Sequence, residues 1–317
     1  MKLPEDHLFI SHRKSRSDWH FLSQPPVRWH EWLVIFAIGG VVSTHAATIR
    51  DDRPDSAYRN LAGSSEYQSV GIFANADGYT GCGILIAPDW VLTAAHLFLG
   101  AGSGSFTING STYASSQLII HPDWRSANVL AGSDFGLVHL NTPVNSLTPA
   151  RLYTGSAESG SVGTFVGFGL TGTGLTGANR FDNQKRAFQN VMDGDFGLPS
   201  LLLGSDFDNP HNAADSHFGD ATPLDLEGVV AGGDSGGGVF GTFNGQSYLV
   251  GVVSVVVSID GSSDSDYGDM TGFGRVSSFT SWIGGYVPSA VPEPSAPALM
   301  TLGGLLLFGW RRFGASR

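Results

Sequence analysis

Apolar residues in this chain occur in short runs rather than in long periodic stretches. β-Branched and aromatic residues dominate these runs, and clusters of Gly, Ser, Thr and Asn separate them. Short runs bounded by turn-forming residues are typical of strands in an antiparallel β protein. The predicted strands, in chain order, are Gly83–Ala87, Gln117–Ile120, Phe135–Leu140, Thr164–Phe168, Val239–Phe243 and Tyr248–Val257.

The spacing of these strands predicts an all-β barrel or sandwich. Helical periodicity is almost absent, and the one helix that we expect is short and lies near Ser278–Ile283. Acidic residues crowd the stretch Asp182–Glu227, where apolar and polar residues show little alternation. We therefore expect long surface loops in that stretch.

The first 46 residues follow the pattern of a signal peptide with a long leading region. Arg28 precedes the apolar run Trp32–Ser43, and small residues at Thr44 and Ala46 suit signal peptidase, which would cut after Ala46. A retained membrane anchor is the alternative. That run is short, because crossing a bilayer takes about 20 apolar residues, so the pattern favours cleavage.

The last 30 residues have the pattern of a second targeting segment. Pro292-Glu293-Pro294 precedes the apolar run Ala296–Trp310, and Arg311 and Arg312 follow it. This order resembles the PEP-CTERM sorting signal of Gram-negative envelope proteins. The resemblance implies export across the inner membrane, transient contact with that membrane and cutting by an exosortase-type enzyme. A plain C-terminal anchor is the alternative.

The chain is thus predicted to consist of a signal peptide at 1–46, a folded domain at 47–287 and a sorting segment at 288–317. Its formal net charge is −11, and the acidic residues concentrate in the folded domain. An acidic surface repels nucleic acid and anionic membranes, so neither is expected as a lasting partner. Cys82 is the only cysteine, so no disulfide within the chain is possible.

A serine between glycines is the first sign of chemistry. In the segment Gly232–Gly238, glycines on both sides of Ser235 permit a tight turn that exposes its hydroxyl group. The same turn lets the N–H groups of Gly233 and Ser235 converge and form an oxyanion hole. A merely flexible glycine-rich loop is the alternative, since the chain contains 44 Gly.

A histidine and an aspartate complete the set that a nucleophilic serine needs. His96 ends the run Thr93-Ala94-Ala95-His96, and Asp134 directly precedes the predicted strand Phe135–Leu140. A serine hydroxyl becomes nucleophilic when a base takes its proton and an acid orients that base. Asp123 is the competing acid, but its strand context is weaker.

These motifs and their order His, Asp, Ser resemble the chymotrypsin-like serine proteases. The resemblance implies a double β-barrel with a short C-terminal helix and a triad of His96, Asp134 and Ser235. It also implies an acyl-enzyme intermediate, protein or peptide substrates, and no cofactor. In that family a cysteine usually follows the histidine; here Leu97 stands there, so Cys82 is expected to be a free, buried thiol.

The resemblance also suggests residues that would bind substrate. Val229 corresponds to the base of the specificity pocket, Ser254 accompanies the triad, and Val256 and roughly Thr271 form the pocket walls. An uncharged base disfavours cleavage after Arg or Lys, and bulky walls favour small apolar side chains. A catalytically idle binding module with the same fold is the competing function, and an esterase is a third. The intact triad favours an endopeptidase.

Two points stay open at the level of sequence. In the family a freed amino terminus pairs with the residue that corresponds to Asp234, but the usual Ile-Val-Gly-Gly start is absent. Ile49 is the nearest candidate; either a second trimming exposes it, or Asp234 has another partner. The aspartates of Asp260–Asp269 could bind calcium, but their spacing favours a solvated loop, so no metal is predicted.

Overall fold

The computed structural model describes residues 47–126, 128–180, 182–195, 201–262, 264–287 and 290. The signal peptide and the sorting segment, predicted at 1–46 and 288–317, lie outside these ranges apart from Ala290. Both therefore remain predictions. In the described ranges, no helix combines the length and apolar character that crossing a bilayer requires.

The first six strands after the amino-terminal segment close into a barrel. That segment consists of a short strand, β1 (Thr48–Ile49), and a helix, α1 (Asp55–Ala62). The barrel strands, in chain order, are β2 (Val70–Asn75), β3 (Thr80–Ala87), β4 (Trp90–Thr93), β5 (Gly104–Ile108), β6 (Ser111–Ile120) and β7 (Gly136–Leu140). They pair in the order β2-β3-β4-β7-β6-β5, and apolar side chains such as Leu85 and Phe106 fill the core.

The second half of the domain holds ten more strands and a helix. They are β8 (Val162–Gly167), β9 (Thr171–Thr173), β10 (Gly177–Arg180), β11 (Arg186–Val191), β12 (Gly194–Asp195), β13 (Leu202–Asp206), β14 (Gly228–Val229), β15 (Gly238–Phe243), β16 (Gln246–Val257), β17 (Met270–Arg275) and α2 (Thr280–Tyr286). Seven of them form a sheet in the order β11-β8-β15-β16-β17-β13-β12, and β10-β9-β1-β14 form a smaller one. The Asn190 side chain of β11 donates to the Asp206 carbonyl of β13, which joins distant strands of the large sheet.

The predicted fold class is confirmed: the described chain is mostly β, with two barrel-like sheets and a short helix near its end. Each predicted strand coincides with a strand of the structure. The predicted terminal helix is α2, which begins at Thr280 rather than Ser278. Cys82 is free and buried, as predicted.

The prediction of surface loops throughout Asp182–Glu227 is wrong in part, because this stretch contains β11, β12 and β13. These strands could not be recognised in the sequence because polar as well as apolar residues occupy their buried positions. Arg186 and Asp206 are buried beside Phe188 and Leu203. Hydrogen bonds satisfy these polar groups, so the apolar alternation that identifies a strand is absent from the sequence.

Helix α1 was not predicted from the sequence. A buried arginine holds this helix in place. Arg186 is fully buried, and its guanidinium contacts Asp55 of α1 and Asp182, each at 2.5 Å. A buried charge is stable only when it is paired and hydrogen-bonded. The arginine therefore couples the start of α1 to β11 of the large sheet.

Candidate active site

His96 and Asp134 lie side by side because β4 and β7 are neighbours in the first barrel. Thr93 at the end of β4 pairs with Gly136 at the start of β7. His96 lies just after β4, and Asp134 lies just before β7. The Nδ1 atom of His96 is 2.6 Å from Asp134 Oδ2, and the His96 N–H donates to Asp134 Oδ1 at 2.9 Å. The histidine is thus fixed at both its ring and its backbone.

A third donor reaches the same carboxylate from the second half of the domain. The Ser254 hydroxyl of β16 donates to Asp134 Oδ2 at 2.7 Å. The Asp134 side chain is fully buried, whereas that of His96 is 30% exposed. A buried carboxylate needs such donors, because burial without them is costly. The imidazole edge that faces away from Asp134 can therefore meet a substrate.

The environment of His96 favours its protonated form. Burial lowers the pKa of the imidazole, but the negative charge of Asp134 and its hydrogen bond raise it. The net effect is a pKa above the usual 6.5. The competing acid Asp123 is exposed, and its N–H donates to His121 at 3.2 Å. Asp134, not Asp123, is therefore the carboxylate that contacts His96.

Ser235 lies in the turn between β14 and β15, and glycines give that turn its shape. Gly233 and Gly236 have φ values of 92° and 77°, in the left-handed region that favours glycine. A Cβ on Gly236 would lie 2.3 Å from Thr93 Oγ1. The Ser235 carbonyl oxygen accepts a hydrogen bond from the Cys82 N–H at 2.7 Å. The turn is thereby packed against β3 and the end of β4, which leads directly to the histidine.

The turn presents donors as well as a hydroxyl. Among the described residues, neither the Gly233 N–H nor the Ser235 N–H donates to a protein acceptor. Both are therefore available to an external oxygen atom. The Ser235 hydroxyl and the His96 ring are not hydrogen-bonded to each other here. Such bonds are often long in the absence of substrate.

The residues predicted to bind substrate also come together. Val256 of β16 pairs with Thr271 of β17, and Thr271 Oγ1 accepts a hydrogen bond from the Val230 N–H at 3.3 Å. Val229 is the preceding residue and is almost fully buried, and it packs with Phe207. Ser254 lies two residues before Val256 in the same strand. The base and walls of the predicted pocket are therefore adjacent and uncharged.

The structure gives Asp234 a partner that the sequence did not identify. The Ala47 N–H donates to Asp234 Oδ2 at 2.9 Å, and the N–H groups of Ala231 and Gly169 donate to the same carboxylate at 2.9 Å and 2.7 Å. Burial raises the pKa of Asp234 to about 7 even though the N–H groups of Ala231 and Ala47 and the charge of Arg186 lower it. The contact is made by Ala47, the residue that follows the predicted cleavage point, and not by Ile49.

Comparisons with known proteins bear on what this arrangement can do. A family model described as Trypsin matches residues 59–193. The chain is 30% identical over 240 residues to chymotrypsin-like elastase family member 1 of Homo sapiens, with 71% of this chain and 86% of that protein covered. The protein of the same name from Felis catus is 28% identical over 243 residues, with 71% and 84% covered.

Proposed function

Because the chain belongs to the trypsin family of serine proteases, we propose that it is an exported endopeptidase whose catalytic triad is His96, Asp134 and Ser235. The observation that carries the proposal is the buried Asp134 carboxylate, which lies 2.6 Å from the His96 ring. The Ser235 turn packs against Thr93 and Ala94, the residues that lead to His96. Membership in this family implies that the protein hydrolyses peptide bonds through a serine nucleophile.

In the proposed reaction, the Ser235 hydroxyl oxygen attacks the carbonyl carbon of the scissile peptide bond, and the His96 ring takes its proton. The Asp134 carboxylate stabilises the imidazolium that forms. The N–H groups of Gly233 and Ser235 donate to the oxyanion of the tetrahedral intermediate. His96 then gives its proton to the leaving amine, and water hydrolyses the acyl-enzyme in a second, similar step.

Active-site labelling tests this function directly. A fluorophosphonate should label the purified protein once, and peptide mapping should place the adduct on Ser235. Labelling requires an activated serine, so it distinguishes an enzyme from an idle binding module with the same fold. An unlabelled, folded protein would favour the binding module.

The pH dependence of kcat/KM should follow the protonation of His96. Only the neutral imidazole can accept the serine proton, so kcat/KM rises with pH through the His96 pKa. Because Asp134 raises that pKa above 6.5, the midpoint of the rise should lie above 6.5. The Asp134→Asn variant should lose about 10⁴-fold in kcat, and the midpoint of its residual activity should be lower. A profile that is flat from about pH 5 to 8 would argue against His96 as the base.

Small apolar residues should be preferred at the substrate position before the cut. Val229 offers no charge to an Arg or Lys side chain, and Val256 and Thr271, which pair across β16 and β17, are the proposed walls of the pocket. The Val256→Gly variant should shift selectivity toward larger apolar side chains by about 10- to 200-fold. A peptide library measures both profiles. Dominant cleavage after Arg or Lys in the unmodified protein would contradict the pocket assignment.

We further propose that the protein is exported and trimmed at both ends by signal peptidase and an exosortase-type enzyme. The mature form should lack its first ~46 residues and the segment beyond Pro292-Glu293-Pro294. Intact-mass measurement of protein from the native host checks both ends. Replacing Arg311 and Arg312 with Glu should impair retention and cutting, because positive charges keep that end cytoplasmic. A released form that still carries 296–317 would favour a plain anchor.

A further inference from the structure

The loop between β16 and β17 gathers three carboxylates outside the catalytic site. Asp260, Asp266 and Asp269 each offer an oxygen atom, and these atoms all lie within 4.8 Å of one another. The three side chains differ in exposure: that of Asp260 is exposed, that of Asp266 is partly buried, and Asp269 is 1% exposed. The group therefore extends from the surface into the interior.

Asp269 provides an independent sign of a ligand. Its Oδ1 accepts a hydrogen bond from the Ile259 N–H at 3.3 Å. Its Oδ2 is buried and has no hydrogen-bond partner among the described residues. An unpaired buried carboxylate oxygen destabilises the folded state, because it has lost its hydrogen bonds to water and has formed none within the protein. Asp269 thus keeps a buried, unpaired oxygen in a residue that belongs to a group of three carboxylates.

The surroundings do not supply a compensating positive charge. Across the described part of the chain, no Lys, Arg or His forms an ion pair with Asp260, Asp266 or Asp269. Three carboxylate oxygens within 4.8 Å of one another repel each other when they are ionised.

We propose that Asp260, Asp266 and Asp269 bind a calcium ion. The group offers only oxygen ligands, with no histidine or cysteine in it, which disfavours zinc. Calcium accepts six to eight oxygen ligands in flexible geometry, and loop carbonyls and water can supply the rest. Magnesium requires near-ideal octahedral geometry and is reluctant to lose its waters, so it should bind more weakly. The sequence alone favoured a solvated loop; the unpaired Asp269 oxygen favours the ion.

The position of the site suggests what the ion would stabilise. Within this loop, the Tyr267 N–H donates a hydrogen bond to the Gly174 carbonyl. The Tyr267 hydroxyl donates a hydrogen bond to the carboxylate of Asp51, which lies just after β1. The Asp264 carbonyl accepts a hydrogen bond from the Ala178 N–H of β10. An ion that orders this loop would therefore also hold the β9–β10 hairpin and the segment after β1.

Binding is best tested in the Ser235→Ala background, where self-digestion cannot occur and the outcome does not depend on the proposed function. Calcium titrated into the metal-free protein should release or absorb heat with a stoichiometry of one. At a calcium concentration about 100 times the Kd, Tm should rise by about 5–10 °C relative to EDTA. The same concentration of magnesium should produce a smaller rise. Absence of any heat or Tm shift with calcium would overturn the proposal.

Variants then locate the ion. Asp269→Asn should weaken calcium binding at least tenfold, yet in EDTA it should be no less stable than its parent, because it removes a repelled buried charge. Asp77→Asn, which removes an exposed carboxylate from a turn of the first barrel, is the matched control and should bind calcium normally. If Asp269→Asn does not fold, the exposed Asp260→Asn serves in its place. Normal calcium binding by Asp269→Asn, or by Asp260→Asn in its place, would put the ion elsewhere and refute the assignment.

Discussion

Replacing Ser235 with alanine is expected to lower kcat/KM by about 10⁵- to 10⁶-fold while leaving the fold unchanged. The substitution removes the oxygen that is proposed to attack the peptide carbonyl. The nearby hydroxyl groups of Thr93 and Ser254 already donate to the Cys82 carbonyl and to Asp134, so neither is free to replace it. The turn itself depends on glycines and on the Ser235 carbonyl, which alanine retains. Kinetics with a peptide substrate, together with an unchanged Tm, measure the effect.

The companion variants sharpen this test. His96→Ala should fall to a similar level, and the double variant with Ser235→Ala should lose nothing more, because members of a triad act as a unit. His139→Ala is the matched control: His139 also faces a carboxylate, Asp89 at 3.3 Å, but it lies elsewhere on the first barrel. It should retain normal activity. Equal turnover by Ser235→Ala and the unmodified protein, with contaminants excluded, would falsify the triad assignment.

A chain that begins at Ala47 is expected to be about 10²- to 10³-fold more active than one that keeps a leader before it. The Ala47 nitrogen lies 2.9 Å from the buried Asp234 carboxylate. As a free α-ammonium group it carries the positive charge that this carboxylate lacks while Ala47 is an amide. Leaving a buried charge without its partner costs about 3–5 kcal/mol, and Asp234 directly precedes Ser235 in the turn that carries the proposed oxyanion hole.

The pH dependence of this effect has a definite sign. Once it is free and paired with ionised Asp234, the Ala47 amino group should have a pKa above its ordinary value of about 7.7–8.0. The stabilisation should therefore be lost as pH rises through that raised pKa. Activity of the Ala47 form should decline at alkaline pH for this reason, whereas the leader-bearing form should show no such decline.

A cleavable leader placed directly before Ala47 allows both states to be measured in the same preparation, before and after its removal. A third chain that begins at Ile49 decides between the two alternatives left open by the sequence. It lacks the residue that contacts Asp234, so it should resemble the leader-bearing form. Highest activity in the Ile49 chain, or equal activity before and after leader removal, would contradict the role of Ala47.

The three residues of the proposed triad could be singled out in the sequence because each is marked by its immediate neighbours. Glycines surround Ser235, a strand leads to His96, and another follows Asp134. The contact of Ala47 with Asp234 could not be predicted, because it joins positions 187 residues apart and involves only a backbone nitrogen. A contact between a backbone nitrogen and a distant carboxylate depends on how the strands assemble in space, so the local sequence does not indicate it.

The buried charges in the second half of the domain likewise could not be predicted from local sequence. Arg186 in β11 would be assigned to a surface by its residue type, yet its partners Asp55 and Asp182 make it an interior residue. One partner, Asp55, is distant in sequence and lies at the start of a helix of only eight residues. Where polar groups satisfy one another inside a protein, the contrast between apolar and polar positions disappears, and strand prediction fails with it.

The placement of β1 has a consequence for the order in which this protein folds. Thr48 pairs with Gly172 and with Val229, whereas the strands of the first barrel all pair within Val70–Leu140. Contacts between distant residues form slowly, because a long stretch of chain must first be closed into a loop. The first barrel can thus form early, while the amino-terminal strand waits for the rest of the domain. If the proposed triad is correct, a nascent chain with a finished first barrel already holds His96 beside Asp134, but without Ser235 it cannot hydrolyse peptide bonds.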